Sequence, residues 1–179
     1  MGFLGGVDFT KCKHRFVVQL HKAERAGTHY DLRLEAYDND AQKCVLVSWA
    51  TRKLNKLISN EAKRINVYRT ENHDLEWLSF AGEIPEGYGK GVVRIFDKGT
   101  YSVYEEKKDV LVVDFFGKIL TGSYAFVKMS SSQFLLVKVG VQEEINMSAG
   151  IYPYAGLLYK PYTRQLQRKR GYRNEIDSW

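Results

Sequence analysis

Histidine, aspartate and arginine side chains occupy alternate positions in two neighbouring segments that both have the pattern of a β-strand. In the segment HYDLRL polar and apolar residues alternate, so an extended chain places His29, Asp31 and Arg33 on one face. The preceding segment FVVQLH places Gln19 and His21 together in the same way. The residues between the two histidines are few enough for a hairpin loop. We therefore expect His21 and His29 to lie close together on antiparallel strands.

This set of side chains has the composition of a site for a divalent transition metal. The imidazoles of His21 and His29 and the carboxylate of Asp31 suit Mn²⁺, Fe²⁺ or Zn²⁺ better than Ca²⁺, and they leave coordination positions open. Arg33, one step along the same face, would hold an anionic ligand by a bidentate contact. A hydrogen-bonded polar face without metal has the same pattern, so the residues alone leave both interpretations open.

Two metal-dependent chemistries fit these residues. A non-haem iron oxygenase would use the H-x-D pair with a distal histidine, for which His73 is the candidate. A phosphoesterase would use the metal and nearby cations to neutralise a phosphate that is attacked by water. Arg33, Lys53 and Arg64 lie in or beside the segments that contain the histidines. These cations favour phosphate as the substrate group.

The elements that would position these residues are strands. From about position 14 to 140, β-branched and aromatic segments follow one another with turn signals roughly every ten residues. We predict a hairpin turn at Asp97-Lys98-Gly99 and another turn at Gly117-Lys118. The segment LNKLISNEAKRI predicts a short helical turn. The sequence therefore predicts an all-β fold, a compact antiparallel β-barrel with a short helical segment and a C-terminal basic extension.

Charge and composition indicate a folded domain that meets an anionic partner. The chain has 179 residues, 44% of them hydrophobic, and a net charge of +6. From position 150 onward six basic residues face two acidic ones, with tyrosines interleaved. Such a tail suits a phosphate backbone, although a solvated chain end has the same composition. We expect no membrane association, because no apolar run is long enough for a span.

The two cysteines predict a reducing compartment. Cys12 and Cys44 lie far apart and form no C-x-x-C pattern. We therefore expect neither a disulfide scaffold nor a cysteine zinc site, and we expect a cytoplasmic protein.

Five segments resemble, in order over about residues 15–139, the signature of the 3′-phosphoesterase domain of bacterial DNA ligase D and its stand-alone archaeal relatives. They are FVVQLHKAERAGTHYDLRLE, LVSWATRK, RINVYRTENHDLEW, FAGEIPEGYGKGVVRIFDKGTY and SSQFLLVKVG. The resemblance implies a compact β-barrel and a manganese-dependent hydrolase that processes DNA ends in repair. Members remove a 3′-terminal ribonucleoside from a primer strand and then the remaining 3′-phosphate. Mn²⁺ is thus the expected cofactor, with other divalent transition metals as substitutes.

The resemblance also implies a role for individual positions. His21, His29 and Asp31 fall on the metal-binding positions of the family. The implied phosphate-binding residues are Gln19, Arg33, Lys53, Arg64 and His73. Among these, Arg33, Lys53 and His73 are the implied catalytic groups, with His73 a candidate general acid to the leaving oxygen.

Several departures from the family pattern bear on the activity. The loop between the metal histidines is two residues longer than usual, and Trp77 stands where a tyrosine is usual. The segment before Phe16 is short and lacks the acidic and basic residues that assist removal of a 3′-phosphate in the family. We therefore expect the diester activity to be retained and the monoester activity to be weak.

The predicted organisation is an N-terminal arm (1–14), a phosphoesterase barrel (15–140) and a C-terminal extension with a basic tail (141–179). The expected partners are DNA or RNA–DNA primer 3′ ends, and any cooperating ligase or polymerase would be a separate chain. The alternatives are a non-catalytic nucleic-acid-binding β-barrel and, less favoured by the cations, a non-haem iron oxygenase.

Overall fold

The computed structural model describes residues 2–139. The predicted C-terminal extension and its basic tail lie outside these residues. Residues 2–139 form ten strands: β1 (Val7–Asp8), β2 (Arg15–Ala23), β3 (Gly27–Asp38), β4 (Lys43–Thr51), β5 (Arg64–Arg69), β6 (Gly82–Ile84), β7 (Gly91–Lys107), β8 (Val110–Phe116), β9 (Thr121–Lys128) and β10 (Gln133–Lys138). A short helix α1 (Leu54–Ile58) follows β4, and a 3-10 turn spans Leu75–Leu78.

Eight of the strands close an antiparallel barrel. Their order is β3-β2-β7-β8-β9-β10-β5-β4, and β4 pairs back onto β3. The short strand β1 extends the edge of β3, and β6 pairs with the start of β7. The prediction of an all-β barrel with one short helical segment is confirmed. Within residues 2–139 no helix is long and apolar enough to cross a membrane.

The main core is formed by alternate residues of the barrel strands. Trp49 of β4 and Phe126 of β9 meet with their ring centroids 4.5 Å apart, although three strand pairings separate them along the sheet. Leu54 and Leu57 of α1 add to this cluster, and so do Phe3 and Phe9 of the N-terminal segment. Trp49 is therefore a core residue.

The predicted hairpin at Asp97-Lys98-Gly99 is wrong. Strand β7 continues through these residues and changes its partner at Thr100, from β2 to β8. A Cβ atom at Gly99 would overlap the carbonyl oxygen of Phe116, so glycine is needed for close strand approach rather than for a turn.

Asp97 does not form the predicted turn but binds the backbone of another turn. Its buried carboxylate accepts hydrogen bonds from the backbone N–H groups of Lys118, Ile119 and Leu120, at 2.7–3.1 Å. These residues belong to the β8–β9 turn, which the sequence placed at Gly117-Lys118. A turn-forming residue in β7 therefore satisfies the backbone of a different turn.

The two cysteines predicted no disulfide scaffold, and here too the structure differs. Cys12 and Cys44 form a disulfide, with their Cα atoms 6.1 Å apart. The strand register brings them together: Tyr37 of β3 pairs with Asp8 on one side and with Cys44 on the other. The segment after β1 crosses Tyr37, whose ring lies 4.5 Å from the Lys11 ammonium. The disulfide therefore ties the N-terminal segment to β4.

The face of β2, β3 and β4 opposite the main core is polar and covered. Gln19, Asp31, Arg33 and Ser48 are each no more than 6% exposed. Residues 71–90, between β5 and β7, cross this face, and the Gln19 amide donates to the carbonyls of Trp77 (2.8 Å) and Phe80 (3.0 Å) in that segment. This covering segment, residues 71–90, leaves a cleft open over the remaining polar side chains.

Candidate metal and phosphate site

Two histidines and an aspartate converge where β2 and β3 meet. His21 and His29 are direct cross-strand partners, with ring centroids 4.9 Å apart. Asp31 lies two residues further along β3, and its Oδ2 is 3.6 Å from His21 Nδ1 and 3.4 Å from His29 Nε2. One ligand atom from each residue lies within 4.8 Å of the other two. The structure thus brings the three predicted metal ligands together.

Backbone carbonyls hold the two imidazoles in a defined orientation. His21 Nε2 lies 2.7 Å from the carbonyl oxygen of Gly89, and His29 Nδ1 lies 3.0 Å from that of Gly27. A carbonyl can only accept, so in each neutral ring these nitrogens carry the proton. The other nitrogen of each ring then presents its lone pair toward Asp31, which is the arrangement that metal-binding histidines adopt.

The spacing of the three side chains also fits a metal ion. Two atoms bound to one ion at about 2.1 Å lie roughly 3.0–3.5 Å apart in octahedral or tetrahedral geometry. The contacts of Asp31 Oδ2 with the two imidazoles, at 3.4 and 3.6 Å, are close to this range and longer than normal hydrogen bonds. Two imidazoles and one carboxylate therefore fit a divalent transition ion.

The ionisation of the three groups is consistent with a cation-binding set. Burial opposes ionisation of Asp31, but the interaction with a protonated His29 ring and the charge of Arg33 outweigh it, so the pKa of Asp31 lies below its ordinary value. The same interaction with Asp31 raises the pKa of His29, because a proton on Nε2 faces the carboxylate. A proton on His29 and a metal ion would therefore compete for the same carboxylate.

Arg33 joins the candidate metal ligands to the rest of the polar face. Its Nε donates to Gln19 Oε1 at 2.7 Å, and its Nη1 donates to Ser48 Oγ at 2.9 Å. Its Nη2 lies 3.4 Å from Asp31 Oδ2. With these partners in place, the geometry favours a single contact to phosphate through Nη2 over the bidentate contact expected from the sequence.

His73 lies beside Arg33 and outside the group of metal-ligand atoms. Backbone hydrogen bonds with Leu46 anchor it to β4, and its Nδ1 is 3.0 Å from Arg33 Nη1. Burial, together with the Arg33 charge, lowers the pKa of His73. The neutral ring is therefore favoured, and Nε2 is left for a ligand. The oxygenase arrangement, with His73 as a metal ligand next to the H-x-D pair, is not formed.

The predicted cations Lys53 and Arg64 lie further out. Lys53 is exposed where β4 ends and lines the main cleft. Arg64 is an exposed residue at the start of β5 and lines a smaller groove that also contains Lys53. The structure thus brings Gln19, Arg33 and His73 to the polar centre and places Lys53 and Arg64 on one side of it.

Some cleft residues were missed by the sequence reasoning. Arg52 lines the cleft and donates to the carbonyl of Ala26 at 2.5 Å. Tyr68 and Tyr88 also line it and are 49% and 73% exposed. Arg52 is adjacent to Lys53 and could have been noticed in the segment SWATRK. No local signal separates the two tyrosines from the other ten in the chain.

The cleft has the size and lining of a ligand site. Its volume is about 910 Å³, near the upper end of the range of roughly 300–1,000 Å³ that is common for ligand pockets. The three candidate metal ligands, Arg33 and His73 contribute its polar groups, and alanines, tyrosines and Trp77 contribute apolar surface. Such a site can hold a divalent ion and an anionic group next to an apolar moiety.

Comparison with known proteins agrees with this geometry. The family model described as the DNA Ligase D 3′-phosphoesterase domain matches residues 19–128, which include both candidate histidines, Asp31, Arg33 and His73. The chain is 36% identical over 134 residues to the "Multifunctional non-homologous end joining DNA repair protein LigD" of Mycobacterium tuberculosis, a match that covers 72% of this chain and 16% of that protein.

Two further relatives have similar names and similar coverage. The chain is 33% identical over 133 residues to the "Multifunctional non-homologous end joining protein LigD" of Mycolicibacterium smegmatis, covering 68% of this chain and 16% of that protein. The protein of the same name from Pseudomonas aeruginosa is 32% identical over 136 residues, covering 69% and 15%. This chain therefore spans about one sixth of the length of these relatives, and it belongs to the DNA ligase D 3′-phosphoesterase domain family.

Proposed function

We propose that this domain is a divalent-metal-dependent phosphoesterase that processes DNA 3′ ends in repair, with Mn²⁺ as its metal. The substrate would be a DNA or RNA–DNA primer strand that ends in a 3′-ribonucleoside. The products would be the free nucleoside and a strand that ends in a 3′-phosphate.

One observation carries this proposal. The ligand atoms of His21, His29 and Asp31 lie within 4.8 Å of one another, and Arg33 links them to His73 on the floor of one cleft. The family match gives this arrangement a substrate class, because the matched domain is described as a 3′-phosphoesterase. The names of the relatives, which refer to DNA repair by end joining, support DNA ends as the substrate.

In the proposed reaction a water oxygen bonds to phosphorus and the bond from phosphorus to the 5′ oxygen of the terminal nucleoside breaks. That oxygen leaves with a proton, the attacking water loses one, and the net reaction consumes one water. A divalent ion held by His21, His29 and Asp31 would neutralise phosphate charge and make water more acidic.

The side chains around the phosphate would stabilise the charge that develops on it. Arg33 Nη2 would contact a phosphate oxygen, since its other donors are used by protein groups. The lowered pKa of His73 keeps the ring neutral at neutral pH, so its Nε2 would meet the phosphate as part of a neutral imidazole rather than as the cationic general acid expected from the sequence. Lys53 would add positive charge at the side of the cleft.

The test is cleavage of a DNA primer that ends in one ribonucleotide, with Mn²⁺, Mg²⁺, Fe²⁺ or a chelator. We expect nucleoside release with Mn²⁺ and none with the chelator. Asp31→Asn should abolish release, whereas Asp109→Asn, an exposed aspartate in the β7–β8 turn, should not alter it. Full activity of Asp31→Asn, or activity that resists the chelator, would contradict the proposed metal chemistry.

The same assay tests the predicted weakness of the monoester step. We expect the strand with a 3′-phosphate to accumulate, because the segment before Phe16 lacks the residues that assist its removal in the family. A second substrate that already carries a 3′-phosphate should react slowly or not at all. Rapid conversion of both substrates to a 3′-hydroxyl end would show that other residues supply that assistance.

A further inference from the structure

Two exposed tyrosines flank the polar centre of the cleft from opposite sides. Tyr68 is 49% exposed and Tyr88 is 73% exposed, and both line the cleft. The other large hydrophobic side chains that are exposed among residues 2–139 are Val92, Phe116, Ile119 and Met129, and these do not line it. Exposed aromatic rings next to a phosphate site are typical platforms for nucleobases.

The strand register fixes the position of Tyr68. Asp31 of β3 pairs with Ala50 of β4, and Ala50 pairs with Tyr68 of β5. Directly paired residues share a face, so these three side chains form a row across the floor of the cleft. Tyr68 is thus two strand spacings, roughly 9–10 Å, from Asp31. In this row only the methyl group of Ala50 lies between Asp31 and Tyr68, so there is open space above Ala50.

Tyr88 lies on the other side of the candidate metal ligands. The next residue, Gly89, accepts the hydrogen bond from His21 Nε2, so Tyr88 is next to β2, whereas Tyr68 is on β5. Because β2 and β5 lie on opposite sides of β3 in the barrel order, the two rings bracket Asp31. A phosphodiester has a nucleoside on each side of its phosphorus, which matches a phosphate site with an aromatic ring on each side.

The two ends of the cleft differ in charge. Toward Tyr68, the cleft is lined by Lys53, which also lines the adjoining groove with Arg64, and by Glu71, which follows β5. Arg52 also lines the cleft, and its guanidinium donates to the carbonyl of Ala26 between β2 and β3. The lining residues next to Tyr88 include Ala23, Ile84 and Gly89, which are uncharged. The retained strand carries further phosphates and needs cations along its path. The terminal nucleoside carries no further phosphate and suits the uncharged end.

The geometry points to a defined polarity for the bound strand, an inference that rests on the proposed function. Tyr68 stacks on the base of the last retained nucleotide, with Lys53 and Arg64 beside the backbone that leads away from the site. Tyr88 stacks on the base of the terminal nucleoside that leaves. The two rings therefore bind the bases on either side of the scissile phosphate, and they do so with little preference for base identity.

The test combines tyrosine variants with substrates that lack one base. Three primers are compared: one with both bases, one with an abasic terminal ribose, and one with an abasic penultimate sugar. Tyr88→Ala should lower kcat/KM about 5- to 150-fold on the complete primer and have no effect on the one with the abasic terminal ribose. Tyr68→Ala should show the same loss on the complete primer and none on the primer with the abasic penultimate sugar.

Two control variants separate stacking from other causes. Tyr68→Phe and Tyr88→Phe keep the ring and should keep most of the activity. Phe116→Ala removes an exposed aromatic ring outside the cleft and should behave as the wild type. The wild type itself should lose activity on each abasic primer, which tests the inference even if an alanine variant fails to fold.

The outcomes distinguish this inference from the proposed function. Exchanged responses, with Tyr68→Ala insensitive to the terminal base, would overturn the polarity. If the wild type turns over all three primers equally and neither tyrosine variant changes the rate, the stacking is overturned but the phosphoesterase function stands. If the wild type cleaves none of the primers, the proposed function is contradicted. Fluorescence anisotropy of the same primers with chelator would then still show whether affinity depends on each base and each ring.

Discussion

The indole of Trp77 lies over the guanidinium of Arg33, with its ring 5.3 Å from the Arg33 Cζ atom. The carbonyl of Trp77 also accepts the hydrogen bond from Gln19, and Gln19 in turn accepts from Arg33. One residue of the covering segment therefore holds Arg33 both directly and through Gln19.

We expect Trp77→Ala to impair both activity and stability. A cation–π contact at a partly covered site contributes about 0.5–2 kcal/mol, and loss of the ring would let water reach Arg33. Trp77→Tyr should recover most of the effect, because the tyrosine ring also has a negative face. The measurement is kcat/KM on the ribonucleotide-ended primer together with the midpoint of urea unfolding. Equal losses in Trp77→Ala and Trp77→Tyr would mean that the ring–guanidinium contact is not what matters.

The second prediction concerns metal binding apart from turnover. Asp31→Asn keeps the shape of the side chain but removes the charge that both imidazoles face. We expect Mn²⁺ affinity to fall by more than the roughly 10- to 100-fold that loss of an outer hydrogen-bond partner costs at a metal site. Electron paramagnetic resonance of free Mn²⁺ during titration measures this directly. Asp109→Asn is the matched control, and equal affinities of the two variants would argue against the assigned ligands.

The candidate metal ligands could be predicted because they depend on local pattern. Alternation fixes which side chains of β2 and β3 share a face, and a short loop fixes that the two strands pair. The register that results places His21 directly opposite His29. Neither step requires knowledge of the rest of the barrel.

The contacts that could not be predicted are those that depend on distant register. The hydrogen bond between Arg33 and His73 requires residues 71–90 to cross three strands, and nothing in the order of residues fixes that path. The Cys12–Cys44 disulfide requires β1 and β4 to flank the same stretch of β3. Asp97 has the residue type of a local turn, but its partners lie more than twenty residues away. In each case the contacts of the residue are determined by strand pairing over a long sequence distance, which the local sequence does not reveal.

The third prediction is that the disulfide stabilises the fold and has no part in the chemistry. Its residues are 32 apart in sequence, and the loss of chain entropy for a loop of that length is worth about 3–4 kcal/mol. Cys12→Ser should lower the melting temperature under non-reducing conditions and leave kcat nearly unchanged at 25 °C. With a strong reductant present, the wild type and Cys12→Ser should melt at similar temperatures. A wild type whose melting temperature is insensitive to reductant would contradict the prediction.

The last prediction concerns the pH dependence of stability at the Arg15–Glu35 ion pair. The buried Glu35 carboxylate accepts two hydrogen bonds of 2.8 Å from the Arg15 guanidinium and one of 3.2 Å from the Arg15 backbone N–H. Burial alone would raise the pKa of Glu35, but these hydrogen bonds and the arginine charge outweigh it, so the pKa is lowered. Protonation must therefore weaken the folded state.

The direction of the effect follows from the lowered pKa. The stabilisation is fully present above the unfolded pKa of about 4.3 and is lost as the pH falls through the lower folded value. We expect Glu35→Gln to melt below the wild type at pH 6–7, and the gap should close as the pH falls below about 4. Glu61→Gln, at an exposed glutamate after α1, should melt as the wild type does throughout. A gap that stays constant from pH 7 to pH 3 would mean that the stability difference between the wild type and Glu35→Gln does not come from the charge of the carboxylate.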